Sequence, residues 1–205
     1  MRVGSRGVRP DHWAISRMIE PGSTVLDLGC GKGDLLALLV GERQAKGQGI
    51  ELKEESIYEC VEKGLTVLHG DIEGGLGEFP DKAFDVVILN QSMQEVRDVE
   101  FVLKEALRVG RAAIVGFPNM CHWRSRLDVF FRGRTPVSPA LPHRWHNTPN
   151  LHYLSLKDFE EFCLEKGLDV LEFYGLTSTG RAPIFPNLLG ETVVYKIKEG
   201  RDCSL

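Results

Sequence analysis

Acidic residues and glycines recur together at three places where an apolar run ends, and these are the residues best suited to chemistry in this chain. The first is Val25–Leu36, VLDLGCGKGDLL, in which Asp27 precedes Gly29, Gly31 and Gly33 and an apolar series then resumes at helical spacing. The second is Gly49-Ile50-Glu51, its carboxylate 22 residues beyond Gly29, and the third is Gly70-Asp71-Ile72. A dinucleotide loop requires G-x-G-x-x-G, with the pyrophosphate on the following helix N-terminus. Here Asp34 stands at the third glycine position, and its carboxylate opposes a phosphate there. A ligand without phosphate and with net positive charge suits the loop better. S-adenosylmethionine is such a ligand, because its sulfonium and ammonium outweigh its carboxylate.

On this reading Asp27 and the backbone of Gly29, Cys30, Gly31 and Gly33 flank the methionine moiety, since glycine lets the main chain approach without a Cβ. Glu51, followed by Leu52, accepts from both ribose hydroxyls. Asp71 meets the exocyclic amine of adenine, and Ile72 covers the ring. Asn90 completes the binding set for S-adenosylmethionine or S-adenosylhomocysteine. Asn90-Gln91-Ser92 ends the fourth apolar run, on the lip where a methyl acceptor is expected. Asn90 and Gln91 can orient an acceptor but are poor bases, and the absence of D-P-P-Y or N-P-P-Y argues against amino methylation of nucleic acid. His122, His143, His146 and His152 are the candidate bases, His122 and His146 foremost, with Trp123, Trp145 and Tyr153 nearby. No metal centre is expected, because these histidines lack accompanying cysteine or acidic ligands.

Positioning such residues at successive strand ends requires a parallel sheet. Apolar runs predict strands at Thr24–Leu28, Gly47–Glu51, Thr66–His69, Asp85–Asn90, Ala112–Phe117, Asp169–Tyr174 and Glu191–Lys198. Helical spacing marks Asp34–Glu42, Glu54–Lys63, Val99–Arg108 and Leu156–Lys166. Alternation in this order predicts an α/β, three-layer, Rossmann-like fold with a seven-stranded, mostly parallel sheet. The last two strands, joined through the Gly/Pro-rich stretch Gly175–Gly190, are expected to pair as a hairpin with one antiparallel member.

A chain of 205 residues with 42% hydrophobic content fits one domain. Its net charge of −4 gives no drive toward nucleic acid or anionic lipid. Five scattered cysteines without a C-x-x-C pair suggest a reducing cytoplasm, and neither signal peptide nor membrane span is expected. Residues 118–152 stand apart, with four prolines after Pro118, two tryptophans and no sustained period. They read as an insertion carrying five arginines against Asp128, a basic lobe on an acidic body. Trp123 and Trp145 are expected to pack it on the sheet edge. The arginines suit a small anionic substrate, an acidic partner surface or plain solvation. The insertion is expected to cover the cleft as a lid.

The motifs VLDLGCGKGDLL, GIE and GDI resemble those of the class I S-adenosylmethionine-dependent methyltransferases. FDVVILNQSMQEV and LRVGRAAIVGFPN, with HWRSRL, GRTP, LPHRW and TPNLH in the insertion, resemble more closely the bacterial MetW family of methionine biosynthesis. The resemblance implies a class I methyltransferase fold and a protein that works with homoserine O-acyltransferase, MetX. It supplies no methyl acceptor. Two functions follow: an S-adenosylmethionine-binding accessory subunit that activates the acyltransferase, or a free-standing methyltransferase acting on a small polar molecule.

Overall fold

The computed structural model describes residues 7–200. Helix α1 (Pro10–Met18) leads into β1 (Thr24–Leu28), α2 (Asp34–Arg43), β2 (Lys46–Glu51), α3 (Glu54–Glu62), β3 (Thr66–His69), β4 (Phe84–Asn90), α4 (Val99–Val109) and β5 (Gly110–Pro118). After a long excursion containing α5 (Trp123–Leu127), the chain completes α6 (Leu156–Glu165), β6 (Leu168–Thr177), β7 (Gly180–Arg181), α7 (Pro186–Leu189) and β8 (Thr192–Glu199). The strands form one sheet in the order β3-β2-β1-β4-β5-β8-β6-β7. β1 to β5 pair in parallel, and β8 runs antiparallel to both β5 and β6.

Alternate residues of the central strands feed opposite layers. Leu26, Val87, Leu89, Val115 and Phe117 pack with Leu103, Leu107 and Phe159 of α4 and α6. Val25, Val86, Ile88 and Ile114 pack with Ile15, Met18, Leu35 and Leu39 of α1 and α2. A parallel strand buried on both faces reads as a continuous apolar run, which is why VLDL and DVVIL stand out in the sequence. Asp98 caps α4 and Ser155 and Asp158 form a capping box on α6, so both helices begin where their sequence signals place them.

Several expectations need correction. The sheet has eight strands rather than seven, because β7 is a two-residue strand paired to the end of β6. The β3–β4 connection, where the spacing marks no helix, carries a 3₁₀ turn, Ile72–Gly74. Helix α1, with Pro10 at its start and Asp11 in its first turn, follows the rule that proline opens helices. The insertion is partly helical: α5 continues into a wider π-type turn at Asp128–Arg132. Among the described residues no helix is long and apolar enough to cross a membrane.

Candidate functional site

The chain leaves β1 toward β2 and β3, then returns to form β4 on the other side of β1. A ligand crevice is expected at such a reversal, beyond the carboxyl ends of the strands. Register there is close: Asp27 lies beside Gly49 and Ile88, and Glu51 beside His69. A cleft of about 690 Å³ opens at this place.

Its floor is the glycine loop, where Gly29, Gly31 and Gly33 all have left-handed φ, 74°, 54° and 75°. Glu51 organises the loop. Its carboxylate accepts from the N–H of Gly31 at 2.8 Å and from those of Leu52 and Lys53 at 3.0 and 2.9 Å. Asp27 is buried and lines the cleft. Burial, and then the nearby Glu51 carboxylate, push its pKa up to about 7. Asp71 lines the wall and caps the 3₁₀ turn by accepting from the Glu73 N–H at 2.9 Å. Asp34 also borders the cleft and pairs with Lys63 at 2.6 Å.

Asn90 sits at the end of β4. Its Nδ2 donates to Asp11 Oδ2 at 3.0 Å, while its buried Oδ1 has no protein partner. Asp11 is gripped by Arg9 through two hydrogen bonds of 3.1 and 2.6 Å. Burial raises the Asp11 carboxyl, but Arg9 and Asn90 outweigh it and hold the group below its ordinary value. Burial also lowers His12, which borders the same cleft. Gln91 adopts a left-handed φ of 64°, uncommon for a residue with a side chain.

A second cleft of about 430 Å³ adjoins the first, sharing Arg9, Gln91, Glu95 and Pro149 with it. Its far wall comes from Pro139, Pro142 and His143 of the insertion, from Thr177 at the end of β6 and from Ser178 and Glu191 beyond it. The insertion is tied down beside it, the Leu151 and His152 N–H groups both donating to the Gln94 carbonyl at 2.9 and 3.1 Å. Partial burial raises the Glu95 carboxyl, opposed by Lys53 and His143.

Of the expected binding residues, Asp27, Gly29, Cys30, Gly31, Glu51, Leu52, Asp71, Ile72 and Asn90 border the first cleft. Gly33 does not. Its Cα packs behind the loop, where a Cβ would meet Leu65 at 2.5 Å and Cys60 Sγ at 2.8 Å. Gln91 lies between the clefts, but His122 and His146 border neither. His122 is buried, and His146 is exposed against Trp145 in a turn. His143 is the histidine that reaches the second cleft. The tryptophans do not pack as expected: Trp145 is 75% exposed and Trp123 is half-covered by Arg124, 5.2 Å over its ring. The lid expectation fits only the second half of the insertion, since Pro149 and Leu151 alone reach the first cleft from it. Arg9 and Asp11 carry no motif, and Glu95 lies in FDVVILNQSMQEV without being singled out. The proline-led start of α1 is the signal that could have drawn attention to the first two.

A model of the family described as methionine biosynthesis protein MetW matches residues 9–197. The bifunctional methionine biosynthesis protein MetXA/MetW of Rhodopirellula baltica is 38% identical over 160 residues, 74% of this chain and 26% of that protein. The chain therefore spans about a quarter of that relative's length. An S-adenosylmethionine-dependent methyltransferase from Thermotoga maritima superposes with a TM-score of 0.65 at 20% identity, covering 92% of this chain and 87% of the other. The [4+2]-cyclase SpnF superposes at 0.64 with 15% identity, covering 92% and 82%. At such identities the likeness is one of fold, and the fold serves more than one chemistry.

Proposed function

The chain belongs to the MetW family of methionine biosynthesis proteins, and from that premise we propose that it binds S-adenosylmethionine and acts with homoserine O-acyltransferase, MetX. The observation that carries the cofactor reading is the convergence of Asp27, Glu51 and Asp71, from three strand ends, on the bare backbone of Gly29 and Gly31. Acidic walls suit a ligand of net positive charge, and they disfavour a pyrophosphate. Asp27 would hold the ammonium, Glu51 the ribose hydroxyls and Asp71 the adenine amine. When bound, the sulfonium supplies an activated methyl group.

The accessory reading is favoured because the fused relative carries a MetXA portion on the same chain. A second reading, free-standing methyl transfer to a small polar acceptor, is supported by the second cleft adjoining the first. Calorimetry should give one S-adenosylmethionine or S-adenosylhomocysteine site per chain and no NAD binding at matched concentration. Acyltransferase rates should rise when this protein is added to purified MetX. Equal rates across a range of S-adenosylmethionine concentrations would leave free-standing methyl transfer as the leading function.

A further inference from the structure

The first half of the insertion points its apolar side chains into solvent. Phe130 is 81% exposed and Phe131 74%, their rings edge-to-face with centroids 4.9 Å apart. Leu127 and Val129 are exposed on the same turn. Arg124, Arg126, Arg132 and Arg134 surround them, all exposed. Only Arg132 has an ion-pair partner among the described residues, Asp128 at 2.7 Å. No residue of α5 or of the following turn borders either cleft, so the ligand site does not account for them.

Exposed aromatics on a turn cost solvation unless something covers them, and aromatic and arginine side chains together form the energetic centres of protein interfaces. We propose that the turn Leu127–Arg134 is the surface on which this chain docks homoserine O-acyltransferase. The proposal rests on the accessory reading above and assigns its contact. In the fused relative the covalent link holds the two proteins together at high effective concentration. With or without such a link, the two proteins need a surface on which to meet. The partner surface required is an apolar groove that takes Phe130 and Phe131, rimmed by carboxylates that meet Arg124, Arg126 and Arg134. An isologous contact with a second copy of this chain fits poorly, because it would press like-charged arginine clusters against each other.

The test uses the full chain and the acyltransferase encoded in the same genome, measured by gel filtration and calorimetry. The double variant Phe130→Glu/Phe131→Glu should bind the acyltransferase at least roughly a hundredfold more weakly, as loss of two interface anchors implies. Leu164→Glu, on α6 and 83% exposed, is the control and should bind as the parent does. Melting temperatures should match for all three, because none of these side chains is buried. Wild-type binding with an undiminished double variant overturns the surface and leaves the accessory reading standing. No wild-type binding overturns the accessory reading itself. Equal loss in the control variant, conversion of a dimer of this chain to monomer by the double variant, or loss only of binding to phosphatidylglycerol vesicles would each overturn the assignment of this surface to the acyltransferase.

Discussion

Lowering the pH should weaken S-adenosylmethionine binding in proportion to protonation of Asp27. The carboxyl is buried beside Glu51, with its pKa raised from 3.8 to about 7. Below pH 7 the ligand's α-ammonium stays charged, since α-amino groups titrate near about 7.7–8.0. If only the ionised carboxylate accepts the ammonium, about half of the free protein is competent near pH 7 and roughly one part in a hundred near pH 5. The affinity should therefore fall roughly fifty-fold over that interval. Calorimetry in two buffers of different ionisation enthalpy reads the proton released: close to one per ligand near the acid end, and less as Asp27 ionises in the free protein. Asp27→Asn should bind weakly and without this slope. A flat affinity from acid to neutral pH, or an unchanged slope in the Asn variant, refutes the assignment of Asp27 to the ammonium. Stability gives a second reading with a fixed sign. The folded state favours neutral Asp27, so that contribution is full below about pH 4 and is lost as the pH rises through about 7, by at most roughly 4 kcal/mol. Asp27→Asn should thus be more stable than the parent in mild alkali while binding the ligand less well.

Glu51→Ala removes the acceptor for three main-chain N–H groups, and should cost at least about tenfold in S-adenosylmethionine affinity and speed amide exchange at Gly31. An unaffected dissociation constant would count against Glu51 as a ribose acceptor. Gly33→Ala forces a Cβ against Leu65 and Cys60 at a left-handed φ, and urea unfolding should show a loss of about 1–3 kcal/mol. Asn119 is buried, its Nδ2 donating to the carbonyls of Asn187 and Gly190 and its Oδ1 accepting from the Cys121 N–H. Asn119→Ala should destabilise by about 1–3 kcal/mol, whereas exposed Arg134→Ala should change stability by less than about 0.5 kcal/mol.

What the sequence makes legible here follows from how locally each feature is determined. β1 and β3 begin and end where the apolar runs do, and the strand ends bring Asp27, Glu51 and Asp71 to one cleft because parallel register leaves them little freedom. β7 is two residues long, too short for any period to be seen. The link from Asn90 to Asp11 spans 79 residues of chain, and no spacing rule reaches that far. The same limit explains the histidines. Which of His122, His143 and His146 faces a cleft depends on how a proline-rich segment is pinned, and that is decided by its tertiary contacts.

Those contacts also explain why the insertion divides into two halves of different character. The second half is held through Leu151 and His152 to the Gln94 carbonyl, and the Gln94 side chain in turn donates to the Gln91 carbonyl at 2.9 Å. The hydrogen bonds therefore run without a break from the insertion to the left-handed Gln91 at the boundary of the two clefts. Asn119 anchors the start of the insertion to the α7–β8 connection, but from Leu127 to Arg134 the side chains turn outward. An insertion needed only as a lid would place its largest apolar groups over the ligand. This one places Pro149 and Leu151 at the first cleft and Pro139, Pro142 and His143 at the second, and sends Phe130 and Phe131 into solvent, which separates ligand enclosure from surface contact along a single excursion of the chain.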